Sequence, residues 1–249
     1  MLNSFTYMFK DKFFWKKYLL LYVFILIANF LMNSSSIFAP ILNNGKTSCW
    51  YYILMFAGFV AMFIPYGYSI TLLKLKLKDK SATDMPTLDI KENFMSGLKV
   101  VVSGTLLVLI VAAISFLTIA LNITLSKLFG DFISTILNIL LFLALLTIGF
   151  LGISMCCRYV IKPSYLNFIN FKAATELINY NVPKYFKAFL LTLLSMIVVY
   201  TLALLPVKIL TDLGYIGLII YCIWVSILWS YQIFILAGLF ENAVIAEKI

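Results

Sequence analysis

Six stretches of 20 or more residues in this chain carry no charged side chain: Tyr18–Gly45, Thr47–Leu73, Val100–Ser126, Phe132–Cys157, Ala188–Val207 and Leu213–Phe240. The hydrocarbon core of a bilayer is about 30 Å thick, and a helix rising about 1.5 Å per residue needs roughly 20 apolar residues to cross it. The expected fold is therefore all-α, a polytopic bundle of six transmembrane helices forming a single transmembrane domain over residues 1–249. The spans are expected at about 18–40, 49–73, 100–122, 132–157, 188–207 and 215–238. Only 12% of the residues are charged, where a soluble domain carries about 25%. That leaves too little polar surface to cover a soluble core. The first apolar run follows a basic, aromatic segment and shows no small-residue cleavage site, because Asn33-Ser34-Ser35-Ser36 leads on to Ile37, Phe38 and Pro40. It is expected to be a retained span, not a cleaved signal.

A net charge of +9 would suggest nucleic acid if it were spread over one surface, but here it alternates. All of the 19 basic residues except Lys46, Lys127 and Lys208 fall before the first span, between spans two and three, between spans four and five, or in the tail. Lysine and arginine bias sets the orientation of spans. Both termini are thus expected to be cytoplasmic, in a plasma membrane, with no nucleic-acid partner. The three segments preceding odd-numbered spans, 1–17, 89–99 and 164–180, combine lysines with apolar residues at helical spacing. In the first, Phe5, Phe9 and Phe13 share a face; in the second, Ile90, Phe94 and Leu98; in the third, Phe168, Ile169, Ala173, Leu177 and Ile178. An apolar stripe opposite a lysine face is the pattern of a helix lying in the headgroup plane, so these read as amphipathic cytoplasmic elbow helices. Asn181-Val182-Pro183 ends the third elbow, with a new helix starting near Lys184. Trp15, Tyr18, Tyr66, Tyr68, Tyr159, Tyr165 and Tyr185 fit an inner aromatic belt, and Trp50, Tyr51 and Tyr52 an outer one.

Within the spans, Pro65 lacks an amide donor and Gly67 adds freedom two residues on, so a helix kink is expected there. Ser103 with Gly104, Gly149 with Gly152, and Gly214 with Gly217 are small residues that let helices approach. Ionisable groups inside a bilayer usually mark function, and no span here carries one at depth. There is no histidine, no glycine-rich phosphate loop, and no metal-type spacing among Cys49, Cys156, Cys157 and Cys222. The chain is accordingly expected not to be an enzyme and to hold no cofactor or metal. Asn29, Asn33 and Ser34 form a polar patch late in the first span. It has two readings, the lining of a substrate cavity or hydrogen bonds between helices, and Asn138 and Gln232 are similar. Lys74, Lys76, Lys78 and Lys80 end the second span. They are expected to fan out among headgroups, contacting anionic lipid or a partner.

Tyr66-Gly67-Tyr68 closes the second span, a basic run follows, then Met85-Pro86-Thr87-Leu88-Asp89, then Phe94-Met95-Ser96-Gly97-Leu98. In this order the residues resemble a prokaryotic family of integral membrane proteins catalogued as domain of unknown function 4013. Its members read as Gly-Tyr, a basic stretch, Leu-Pro with acids, then Phe and Gly-Leu opening the next span. Phe9-Lys10-Asp11-Lys12 and Trp15-Lys16-Lys17 fit its opening. Met85 stands where leucine is usual, and Leu88 where an aromatic is common. The motifs cover the first half of the chain; the second half matches by hydropathy. The resemblance implies the architecture and a prokaryotic plasma membrane. It transfers no catalytic residue, since the family has no assigned activity.

Two functional expectations remain. One is a non-catalytic, transport- or export-associated component that handles a hydrophobic substrate, with a cytoplasmic ATPase or another membrane subunit as candidate partner. The other is a scaffold or regulatory subunit that docks a cytoplasmic partner through 74–99 and 164–180.

Overall fold

A computed structural model describes residues 7–33, 49–79 and 84–243. Among them there is no strand. A 3-10 turn, Tyr7–Lys10, leads into α1 (Phe14–Asn33). The second span is made of α2 (Cys49–Ala61) and α3 (Phe63–Lys78), the third is α4 (Ile90–Phe129) and the fourth α5 (Asp131–Ile161). A second 3-10 turn, Tyr165–Phe168, and α6 (Phe171–Asn179) precede the fifth span, α7 (Val182–Leu204). The short α8 (Val207–Asp212) then turns the chain into the sixth span, α9 (Gly214–Ala243). All six spans are long and apolar enough to cross a bilayer. The protein is an all-α, multi-pass integral membrane protein.

The centre of the bundle is α9. It packs on α1, α3, α7 and α8, and half of its most apolar stretch is buried. The corresponding share for α4 and α5 is 6%. These two helices form a hairpin turned at Gly130, whose φ of 76° only glycine adopts readily. Away from the lysine-rich end they pack mainly on each other, which suits chains surrounded by lipid tails as apolar as their own side chains.

The expected kink near Pro65 is realised three residues earlier. The proline ring clashes with the carbonyl four residues back, which is Ala61, the last residue of α2. Pro65 itself sits in the first turn of α3, where its missing N–H is no loss. Gly67 has a different job from the one expected of it. A Cβ there would lie 1.7 Å from Asn93 O, and a Cβ on Gly97 would lie 1.8 Å from Phe63 O. The two glycines thus let α3 and α4 cross backbone against backbone, in antiparallel register. Buried Asn93 completes the crossing by accepting from Thr71 Oγ1 at 3.1 Å.

The elbows depart from their expected form. At the first, Tyr7 and Met8 are buried while Phe9 and Phe13 are exposed, and Phe5 lies outside the described residues. The second is the opening of the 40-residue α4; over residues 90–99 Asn93 and Gly97 are buried, while Ile90 is exposed. The third is a 3-10 turn plus α6, capped by the Asn170 side chain accepting from Ala173 N. Its buried stripe includes Ala173, Leu177 and Ile178 as the spacing predicts, but the stripe packs against α5 and α7 and not against headgroups. The following helix starts at Val182, with Pro183 in its first turn.

Candidate functional site

A cavity of about 610 Å³ lies between α3, α7 and α9. Pro65, Tyr66 and Ser69 line it from α3, Met196, Tyr200 and Ala203 from α7, and Trp229, Gln232 and Leu236 from α9. The break at Met62, itself a lining residue, and the proline that causes it shape one end of this wall. Hairpin helices α4 and α5 reach the cavity only through Val100 and Cys156. Met196, Ile197, Tyr200 and Trp229 are exposed on the protein's flank, so the cavity opens sideways toward lipid. Its walls are almost wholly apolar.

One amide interrupts them. Gln232 is 5% exposed, and its Nε2 donates to Ser195 Oγ at 3.0 Å across the α7–α9 contact. The Ser195 hydroxyl gives its single proton to Thr192 O at 2.9 Å, so toward Gln232 it can only accept. In this arrangement Gln232 Oε1 is a buried acceptor without a donor. On sequence grounds Gln232 carries the same two readings as the first-span patch, cavity lining or a bond between helices. One half of its side chain does that work; the other half is unused.

The polar patch of the first span is not part of this cavity. Asn29 is buried and donates to Ser226 Oγ at 3.0 Å, tying α1 to α9. Asn33 donates to Asn29 O at 2.9 Å. The Asn29 bond thus joins two helices and the Asn33 bond stays within α1, and the cavity takes only Ile25 from α1. Ser34 lies outside the described residues.

At the lysine-rich end the chain is latched. The Asp11 carboxylate, nearly enclosed, pairs with Lys17 Nζ at 2.8 Å and accepts the amides of Phe13 at 2.6 Å and Met85 at 2.5 Å. Lys17 also donates to Met85 O. Burial pushes the Asp11 carboxyl up, but the Lys17 ammonium and the two amides outweigh it and hold the group below its ordinary range. Tyr68, placed in the aromatic belt by sequence, is wholly buried and donates to Pro86 O at 3.3 Å. Tyr185, also assigned to the belt, is wholly buried as well. It donates to Phe150 O and accepts from Ser154 N at 3.0 Å. Trp15, Trp50 and Tyr52 are exposed.

The four lysines divide. Lys74 and Lys78 are exposed and share a helix face. Lys76 does not join their fan: it is buried, its ammonium 4.0 Å from the centre of the Tyr7 ring. Lys80 lies outside the described residues.

Residues 51–208, well over half of the chain, match the family described as "Protein of unknown function (DUF4013)". The chain belongs to this family. No curated protein and no solved structure matches it. The matched residues enclose the Gly67–Gly97 crossing, the Met85–Asp89 segment and the α3 and α7 walls of the cavity. They continue well past the segment that carries the motifs, through the fifth span. The opening pieces at 9–17, with Asp11, and all of α9, with Gln232, fall outside them.

Proposed function

We propose that the protein is a non-catalytic component of a prokaryotic plasma membrane, with its lysine-rich end cytoplasmic. It handles a hydrophobic substrate that enters the α3–α7–α9 cavity from the bilayer. The supporting observation is the cavity itself. It falls within the roughly 300–1,000 Å³ typical of small-molecule sites, opens on the flank of the bundle, and is lined by apolar side chains from three spans. A transport or export role follows from that access. A cytoplasmic ATPase or another membrane subunit would supply the energy, with the exposed Lys74 and Lys78 facing it or anionic lipid. The scaffold reading has less to work with, because the apolar face of α6 and the 85–86 segment are already engaged within the chain.

The test is photolabelling of the protein in native membranes with a diazirine-bearing fatty acid, mapped by peptide mass spectrometry. Label concentrated on α7 residues 196–203 and α9 residues 229–240 supports the reading. Label spread only over the lipid-facing sides of α4 and α5 refutes it. Copurification of an ATPase with tagged protein would support the transport role.

A further inference from the structure

The height of the cavity's mouth restricts what can enter it. Met196, Tyr200 and Trp229, exposed at the mouth, stand far from the charged residues that end their helices' apolar runs on the lysine-rich side. Met196 and Tyr200 lie 9 and 13 residues past Lys187, and Trp229 lies 12 residues before Glu241. At about 1.5 Å per residue these separations are about 14–20 Å, and half of a hydrocarbon core is about 15 Å. The mouth therefore faces the middle of the bilayer. The cavity's other end reaches the lysine-rich boundary. Leu73 and Phe240, which line it, directly precede Lys74 and Glu241, and Val100 directly follows Lys99. That end is shut. Leu73 is buried, and with Phe240 it packs into the apolar cluster to which α6 contributes Leu177 and Ile178. The third elbow thus helps to seal the cavity from the headgroup layer. From mouth to closed end, Trp229 to Phe240, is 11 residues, or about 16 Å.

We infer that the occupant is a wholly apolar molecule drawn from the bilayer midplane, a hydrocarbon or isoprenoid chain with no ionised or zwitterionic head. This deepens the substrate reading of the cavity and rests on it. An acyl chain spans its own leaflet, about 15 Å. A lipid whose head stays among the headgroups spends that length in reaching the mouth and has none left to fill the closed end. A lipid that enters whole must carry its head to the midplane, where a charge is most costly, and no lining residue is charged to receive it. Ser69 and Gln232 turn their donors on the protein itself, toward Tyr66 O at 2.6 Å and Ser195 Oγ at 3.0 Å. An apolar molecule meets neither obstacle.

The experiment compares two photoreactive probes in phosphatidylcholine nanodiscs. One is octadecane with a diazirine in mid-chain; the other is phosphatidylcholine with its diazirine held beside the head. Chain ends of ordinary lipids reach the mouth in any case, so the discriminating label is the one tied to the head. The alkane should label both the mouth, around residues 196–200, and the closed end, around Cys156 and Phe240. The head-tied probe should label the closed end at least about tenfold less, and excess unlabelled squalene should displace the alkane. Closed-end labelling by the head-tied probe as strong as the alkane's would show that headgroups reach the cavity, and alkane label confined to the mouth would show that the closed end is not filled; either overturns the inference. Ala203→Phe and Leu236→Trp fill the cavity from two different helices, and each should cut alkane labelling of the closed end. Labelling unchanged in both places the alkane outside the cavity and also overturns the inference. If a tail-labelled fatty acid marks the cavity and the alkane does not, this inference fails and the cavity reading stands; if neither marks it, both fall.

Discussion

Replacing Gly67 by alanine probes the crossing on which the bundle's geometry depends. The new Cβ falls 1.7 Å from Asn93 O and 2.5 Å from Asn93 C. Carbon–oxygen contacts are ordinarily no closer than about 3.3 Å, so α3 and α4 must part by roughly 1.6 Å. The obstruction is backbone, which no rotamer change relieves. Overpacking costs about 1–3 kcal/mol, and parting the helices also stretches the Thr71–Asn93 bond, worth about 1 kcal/mol. The loss comes to about 2–4 kcal/mol, or about 4–16 °C in Tm for a chain of this size. Gly97→Ala, with its Cβ 1.8 Å from Phe63 O, should lose a similar amount. The double variant should fall well short of the sum, because helices already parted for one methyl accommodate the second. Gly104 lies on the same helix with nothing within 4 Å, so Gly104→Ala should be neutral or gain up to about 1 kcal/mol of helix propensity. Thermal unfolding in detergent micelles, followed by circular dichroism, compares the variants directly. A Gly67→Ala protein that melts no lower than Gly104→Ala would refute the backbone-to-backbone crossing.

Three further outcomes are expected. Asp11→Asn should lower Tm at neutral pH by breaking the latch to Lys17 and Met85. Because the folded carboxyl titrates below its ordinary value, its contribution is complete above the aspartate range and fades as pH falls through the folded value. The Tm gap between wild type and variant should therefore close on acidification, and a gap that persists in acid would show that the ion pair is not its source. Lys74→Gln and Lys78→Gln should each reduce retention of anionic lipid in native mass spectrometry by about fivefold. Lys76→Gln should instead destabilise the fold with little effect on lipid, and equal lipid loss in all three would contradict the inward placement of Lys76. Asn29→Leu, which removes one interhelical bond, should cost only about 0.6 kcal/mol, and a loss several times larger in micellar melts would mean that Asn29 holds more than Ser226.

The spans were legible because hydrocarbon leaves a chain few options: charge-free runs of 20 residues or more point to one structure, and all six are present. Finer features depend on partners that a linear reading cannot see. Gly67 reads as a source of flexibility beside Pro65 until Asn93 is found against it, 26 positions away. Gly104 and Gly149 read as contact glycines, yet neither has a neighbour within 4 Å. Tyr68 and Tyr185 have the composition of belt residues, and only tertiary structure reveals the backbone carbonyls their hydroxyls meet. Lys76 belongs to an alternating lysine run whose period, wound onto a helix, sends one member inward to Tyr7. The cavity could not be read at all, since its α3 wall lies more than 100 residues before its α7 and α9 walls. Gln232 was visible as a polar residue in an apolar span, but its unused carbonyl appears only once Ser195 and Thr192 are placed.

The distribution of polar bonds across the molecule bears on how a substrate could enter. The Asp11–Lys17–Met85 latch, the Tyr68–Pro86 and Tyr185–Phe150 bonds and the Ser154–Ala174 bond all hold the lysine-rich end, where α3, α4, α5 and α6 meet. Toward the other end, the α4–α5 hairpin is joined across its two helices by a hydrogen bond between Asn122 and Asn138 at 3.3 Å. No cavity-lining residue comes from that part of the hairpin. The mouth of the cavity, where Met196, Ile197, Tyr200 and Trp229 are exposed, already faces the bilayer, so a chain can enter there without breaking any of the bonds at the lysine-rich end. Ile197→Trp, which crowds that mouth, should then reduce labelling of the cavity by a photoreactive fatty acid while leaving Tm unchanged. Undiminished labelling of the cavity walls in that variant would place the entrance elsewhere.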